Sequence, residues 1–241
     1  MTEEKVRLPR HVGIIMDGNR RYAKLKGQLP WKGHEAGAKI MLKTMEWARE
    51  LGIKELTFYA FSTENFRRST DEFNNMMQLF IRLGEEILQK VKQVASKAKE
   101  MARILFVGLI DRFPIHVQDM MKKIMDATKH FKEYIVNIAV GYGGRSELIR
   151  AFRSLHHKAQ MGQISIDQLT EDDISKELYV TSEPELIIRT GGAKRLSNFL
   201  LWQSSYAELF FLDKFWPEFT KEDFSACVQD YVTSVSINLG K

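Results

Sequence analysis

HVGIIMDGNRR, residues 11–21, carries the pattern that decides the fold: an unbroken run from Val12 to Met16 passes straight into Asp17, Gly18, Asn19, Arg20 and Arg21. An apolar run without polar alternation suits a strand covered on both faces, and an abrupt glycine-containing polar end marks where such a strand leaves its sheet. The transition recurs along the chain. LTFYAF (56–61) gives way to STENFRR (62–68), YIVNIAV (134–140) to GYGGR (141–145), and ELII (185–188) to RTGGAKRLSN (189–198). RILFVG (103–108) and AELFFL (207–212) are two further strand candidates.

Between these runs lie stretches of helical period. HEAGAKIMLKTMEWAREL (34–51) sets Met41, Met45, Ala48 and Leu51 on one stripe, with His34 at its start. A longer helix follows the cap candidates Ser69 and Thr70, with Asp71 and Glu72 in the first turn where they favour the dipole. It carries Phe73, Met76, Met77, Phe80, Leu83, Ile87, Leu88, Val91 and Val94, and is expected to end near Lys97. A third opens at Pro114 and shows Val117, Met120, Met121, Ile124 and Phe131; others are expected near 146–160 and 219–232. Strands alternating with helices predict an α/β fold: one domain over residues 1–241, with a mainly parallel central sheet of about six strands flanked by helices.

Composition narrows the function. Hydrophobic residues make up 44% and charged residues 28%, an ordinary globular mixture. The single Cys227 excludes an internal disulfide framework, and no Cys/His cluster has zinc spacing, which suits a reducing, cytoplasmic setting. No segment approaches the roughly 18 apolar residues of a spanning helix. The net charge of +5 favours anionic partners. Nucleic acid is not among those expected, because the basic residues gather with glycine at strand ends and no motif with interleaved aromatics appears. GxxxxGK[ST], GxSxG, a GxGxxG after the first strand, and DDxxD are all missing.

Open parallel sheets bind ligands beyond the carboxyl ends of their strands, so the polar segments after the apolar runs converge on one rim. Glycine turns there expose N–H groups, and two arginine clusters, Arg20 and Arg21 with Arg68 and Arg189 with Arg195, leave room for two diphosphates. A guanidinium fork suits phosphate because it donates to two oxygens at once and stays charged when buried. Asp17, alone among these arginines, is a candidate ligand for Mg²⁺, which is commonly held by one or two carboxylates with substrate phosphate oxygens. Glu208 is a second candidate.

In order and spacing, HVGIIMDGNRRYA, GHEAGA, YAFSTENFRR, NIAVGYGGR and IIRTGGAKRLSNFLLWQSSYAELFF resemble the motifs of the cis-prenyltransferase family of the undecaprenyl diphosphate synthase type, from about His11 to Trp216. The DGNRR and STENF wording is nearer archaeal or polyprenyl-forming members. The resemblance implies a homodimer with a hydrophobic tunnel between the sheet and two helices, lined by candidates Met76, Met77, Phe80 and Leu83. It implies a magnesium-dependent synthase joining isopentenyl diphosphate to farnesyl or geranylgeranyl diphosphate with Z geometry. Asp17 then matches the aspartate for magnesium and the allylic diphosphate. Gly18, Asn19, Arg20 and Arg21 match the loop around that diphosphate, with His34 and Tyr22. Ser62, Thr63, Glu64, Asn65, Phe66 and Arg68 match the loop over the substrates, with Asn65 implicated in proton removal. Arg189, Arg195, Leu196 and Ser197 match the isopentenyl diphosphate pocket, and Glu208 the second magnesium ligand.

Three positions depart from the family pattern. Ala193 stands where Glu is usual, Pro30 where Arg is usual, and VSINLGK (235–241) where the family has an Arg-rich segment. Other readings are a short-chain or irregular synthase and a noncatalytic partner subunit; retention of Asp17, Asn65, Arg68, Arg189 and Glu208 argues against the latter. Soluble diphosphates entering and a lipid product leaving imply a cytoplasmic enzyme in peripheral contact with the membrane.

Overall fold

The computed structural model describes residues 7–93 and 101–239. Six parallel strands, β1 (His11–Ile15), β2 (Glu55–Ser62), β3 (Arg103–Val107), β4 (Ile135–Tyr142), β5 (Leu186–Arg189) and β6 (Glu208–Phe211), lie in the order β3-β4-β2-β1-β5-β6. All six strand candidates form. Crossovers supply the covering helices: α1 (Asn19–Leu25), α2 (Pro30–Glu50), α3 (Thr70–Gln93), α4 (Ile115–Thr128), α5 (Gly144–Gln160), α6 (Glu171–Lys176) and α7 (Lys221–Leu239). The expected end of α3 at Lys97 falls outside the described residues.

Alternate side chains serve two cores. Val12, Ile14, Leu186 and Ile188 join Phe58, Trp216 and Phe224 on one face, while Ile15 and Ile187 join Tyr142, Phe199 and Leu200 on the other. Burial on both faces explains the unbroken apolar strands. The register of β2 slips between Tyr59 and Ser62. That irregularity puts Phe61 on the same face as Phe58 and turns the strand end, with Ser62, toward a cavity.

Helix boundaries differ from expectation in three places. The helix expected from His34 begins at Pro30, so His34 lies in its second turn; Leu29 is extended at ψ 147 and the proline starts the helix. Pro114 is the extended residue before α4 rather than its first member, and Phe131 lies beyond its end, buried. The segment after Gly18, expected as a loop, is the helix α1. It packs so closely on α2 that a Cβ on Gly33 would sit 2.0 Å from the Asn19 carbonyl oxygen, and one on Gly37 2.1 Å from Asn19 Oδ1.

Candidate active site

Asp17 is held from both sides of the sheet's central crevice. Its carbonyl oxygen accepts from the Trp216 N–H at 3.0 Å and from Thr190 Oγ1 at 2.8 Å. Its carboxylate takes Gly18 N–H at 2.6 Å and Arg21 Nη2 at 3.2 Å on Oδ1, and Arg189 Nη2 at 2.9 Å on Oδ2. Gly18 has φ +103 and Phe215 lies 2.7 Å from where its Cβ would stand, so only glycine fits.

Arg189 is 4% exposed and acts as a strut. Besides Asp17 it donates to Ser197 Oγ at 2.8 Å and to the Arg195 carbonyl, while its Nε is buried without a partner. The loop it braces is bent at Ser197 (φ 51), Asn198 (φ 68) and Leu200 (φ 41), a left-handed backbone that costs about 1–3 kcal/mol per residue unless the surroundings enforce it. The first turn of α5 enforces it: Gly144 N–H donates to the Asn198 carbonyl at 2.7 Å and Arg145 N–H to Asn198 Oδ1 at 2.9 Å. Two otherwise orphaned helix N–H groups thus fix the loop that carries Arg195 and Ser197.

Across the crevice, Arg68 Nη1 meets Glu72 Oε1 at 2.5 Å and His34 Nε2 at 3.1 Å, and Arg20 Nε stands 3.6 Å from the same Glu72 oxygen. Burial lowers the His34 pKa, so the ring is neutral at pH 7. His34, then Arg68 and Arg20, hold the Glu72 carboxyl down at about 2 against the opposing effect of burial. Glu72 is therefore the anionic anchor of this cluster rather than a residue that merely favours the α3 dipole. Ser62 N–H donates to Asn65 Oδ1 at 2.9 Å, closing a one-turn cap that leaves the Asn65 amide NH₂ for another partner.

Both halves open into one cavity of about 690 Å³. Its polar end holds Asp17, Asn19, His34, Ser62, Glu64, Asn65, Arg68, Arg189, Arg195 and Ser197; its apolar end runs between the sheet and α2, α3 and α4 past Met41, Met76, Leu79, Phe80, Leu83, Ile87, Phe106 and Ile124. An antechamber of about 790 Å³ shares Asp17, Asn19, His34 and Arg68 and adds Gly18, Arg20, Arg21 and Lys24. A charged mouth thus leads to an apolar tunnel, which suits a molecule with an anionic head and a hydrocarbon tail.

Residues 15–236 match the prenyltransferase family model, whose description reads "Putative undecaprenyl diphosphate synthase". The chain belongs to this family. Among curated cis-prenyltransferases, the tritrans,polycis-undecaprenyl-diphosphate synthase (geranylgeranyl-diphosphate specific) of Methanopyrus kandleri is 42% identical over 234 residues, 95% of this chain and 85% of that one. The enzyme of the same description from Pyrococcus abyssi is 42% identical over 233 residues, 95% and 87% of the two chains. Lavandulyl diphosphate synthase from Lavandula x intermedia, solved with dimethylallyl diphosphate, superposes with a TM-score of 0.87 at 31% identity over 95% of this chain and 97% of that one. A probable undecaprenyl diphosphate synthase from Campylobacter jejuni gives 0.75 at 33% identity, over 93% and 95%.

Against that cis-prenyltransferase frame, several expected site residues stand apart from the two cavities. Tyr22 is half-buried beneath Lys26, whose Nζ lies 5.9 Å from its ring. Phe66 packs among Phe61, Phe73 and Phe113 under the Arg112 guanidinium, Thr63 abuts Gly143, and Leu196 packs on the second core. These four shape the walls rather than face the cavity. Met77, expected in the tunnel lining, is 3% exposed and points into the core instead. Glu208 also stands apart. It pairs in register with Leu186, three residues and roughly 10 Å below Arg189 on the strand, and accepts from Ser234 Oγ of α7 at 3.2 Å, so within this chain it does not join Asp17. Leu79 and Asn198 line the cavity and were not singled out in the sequence, and Glu72, read there only as a first-turn acid, anchors the arginines beside it. Leu79 could have been found by its spacing from Met76 and Leu83, whereas Glu72 and Asn198 gave no local signal because their partners come from distant segments.

Proposed function

We propose that this chain is a magnesium-dependent Z-polyprenyl diphosphate synthase that condenses isopentenyl diphosphate with an allylic diphosphate, farnesyl or geranylgeranyl. The observation that carries the reading is the continuity of an arginine-lined mouth at Asp17 with an apolar tunnel. The allylic head lies at Gly18 to Arg21, with its tail down the tunnel; the isopentenyl head lies at Arg195 and Ser197 on the other side of Asp17. Breaking the allylic carbon–oxygen bond develops charge on the leaving diphosphate, and guanidiniums already held in place stabilise it without reorganisation. The isopentenyl double bond then attacks the allylic carbon and the resulting carbocation loses a proton from the adjacent carbon; holding both substrates in one orientation supplies proximity and decides which proton is lost, and so the Z geometry of the new double bond. Asn65 offers its amide to a substrate oxygen at this point.

Asp17 fits a magnesium site: its carboxylate is partly exposed at the mouth, and the more exposed of its two arginine partners, Arg21, can swing away. Bound magnesium supplies Lewis-acid stabilisation of the leaving diphosphate. Glu208 is not part of this assignment.

Relatives that are geranylgeranyl-specific undecaprenyl synthases favour a long product. The 690 Å³ cavity and the likeness to lavandulyl diphosphate synthase favour a short one as the second reading. Ile87 lies in the wall between this cavity and a smaller one of about 130 Å³, so Ile87→Ala should lengthen the product. We also place the enzyme in the cytoplasm as a homodimer; among the described residues no helix is long and apolar enough to cross a membrane. Exposed Leu209 on edge strand β6 and Ile149 and Phe152 on α5 are the apolar surface a second copy would cover, and sedimentation at a monomer's mass would reject the dimer. Incubation with radiolabelled isopentenyl diphosphate, each allylic primer and Mg²⁺, followed by chain-length analysis, tests the reaction. Absence of incorporation with both primers would reject it.

A further inference from the structure

The six residues from Lys24 to Leu29, the end of α1 and its link to α2, are all exposed. Leu25 is 74% exposed and Leu29 56%. Isolated surface leucines are ordinary; two on one short turn with lysines between and around them are not. The stretch from Gly18 to His34 contains no acidic residue, while Arg20, Arg21, Lys24, Lys26 and Lys32 give it five positive charges. Among the described residues neither Lys24 nor Lys26 has a carboxylate partner, whereas Lys32 is paired with Glu35 at 2.9 Å.

The turn is also rigid. Gly27 N–H donates to the Lys24 carbonyl at 3.1 Å and Gln28 N–H to the Ala23 carbonyl at 2.8 Å, with Gly27 at φ +64, the closed left-handed ending of a helix. Pro30 then sets the start of α2, and the close contact of Asn19 with Gly33 and Gly37 locks the two helices together. The leucines are therefore presented by a fixed scaffold.

We infer that this turn docks the protein on an anionic lipid bilayer, Leu25 and Leu29 entering the interface while Lys24 and Lys26 face the headgroups. Small apolar insertions gain stable membrane binding when basic residues accompany them. Charge complementarity favours this occupant over a second copy of the chain, whose own turn is equally cationic and would repel it. Position supports it as well: Lys24, Gly27, Gln28 and Pro30 line the antechamber at Asp17, so docking would hold the diphosphate mouth at the membrane surface. This inference deepens the proposed function by naming where a lipid-making enzyme meets lipid.

The experiment is co-sedimentation of the full chain with phosphatidylcholine vesicles, with and without phosphatidylglycerol, alongside isopentenyl diphosphate incorporation in detergent. The expected result is binding only to the anionic vesicles, weakened by salt, and reduced roughly tenfold or more in Leu25→Ser/Leu29→Ser and again in Lys24→Glu/Lys26→Glu. Leu25 and Leu29 line neither cavity, so the leucine variant should retain its incorporation in detergent and its melting temperature. Equal binding by wild type and the leucine variant, no vesicle binding at all, or self-association that the leucine variant abolishes would overturn the docking surface. Incorporation without vesicle binding would leave the proposed activity standing, and vesicle binding without incorporation would reject that activity alone.

Discussion

The two ends of the sheet both bury polar side chains, but they resolve the cost in opposite ways. At the amino end, His11 Nε2 accepts from Thr57 Oγ1 at 2.7 Å, and Asn137 Nδ2 donates to Thr57 at 3.1 Å and to Glu55 at 2.7 Å. Ser182 Oγ completes the circuit, 3.2 Å from His11 Nδ1 and donating to Glu55 at 2.7 Å. At the carboxyl end, five arginines (20, 21, 68, 189 and 195) gather with the carboxylates Asp17 and Glu64 at the cavities and Glu72 beside Arg20 and Arg68, and both Arg189 Nε and Asn19 Oδ1 are buried without partners. A buried polar group left unpaired costs about 1–3 kcal/mol. A closed circuit with no surplus is architecture; a rim with cationic surplus and open donors is a place for an anion.

Substitutions on each end should separate activity from stability. Asp17→Ala is expected to lower kcat roughly a thousandfold or more with the fold intact; full turnover in that variant would remove Asp17 from the chemistry. Arg195→Ala should raise the KM for isopentenyl diphosphate roughly tenfold to a hundredfold, as loss of a charge-assisted contact does, and leave the KM for the allylic substrate alone. An effect confined to the allylic substrate would contradict the division of the rim. At the other end the pattern should invert: Thr57→Val strands His11 Nε2 and Asn137 Nδ2 and should cost about 2 kcal/mol of stability by denaturant unfolding, with turnover per folded molecule unchanged.

The smallest effect concerns pH. Burial lowers the pKa of His11 and His34 in the fold, so each takes up a proton on unfolding that the native state does not hold. The stability they contribute is full above the unfolded value near 6.5 and is lost as pH falls below it, by up to about 1.4 kcal/mol per pH unit for each group. His11→Gln should flatten that slope below about pH 6.5 in chemical-denaturation curves. An unchanged slope would show that His11 does not titrate across this window.

The strands were legible in the sequence because burial on both faces leaves continuous runs such as Val12 to Met16, and the site because parallel strands deliver their polar ends to one rim. What was not legible depends on distant packing. Seven residues from Asn19 to Leu25 show too short a period to be read as a helix; α1 exists because Gly33 and Gly37 let α2 approach it. Glu72 looks like a first-turn acid until Arg68, His34 and Arg20 are seen around it. Asn198 reads as a loop residue, although it holds the first turn of α5. Glu208 carries a family motif into the last strand, but its register leaves it below the rim.

The missing side chains of Gly33 and Gly37 also constrain how the mouth moves. With α1 seated against the α2 backbone, one bank of the channel has no slack, so admission of substrate and escape of product must be accommodated on the opposite bank, by residues 62–69 and the head of α3. Amide exchange should be faster there than along α1, and larger side chains at either glycine would wedge the fixed bank open rather than retune the opposite one.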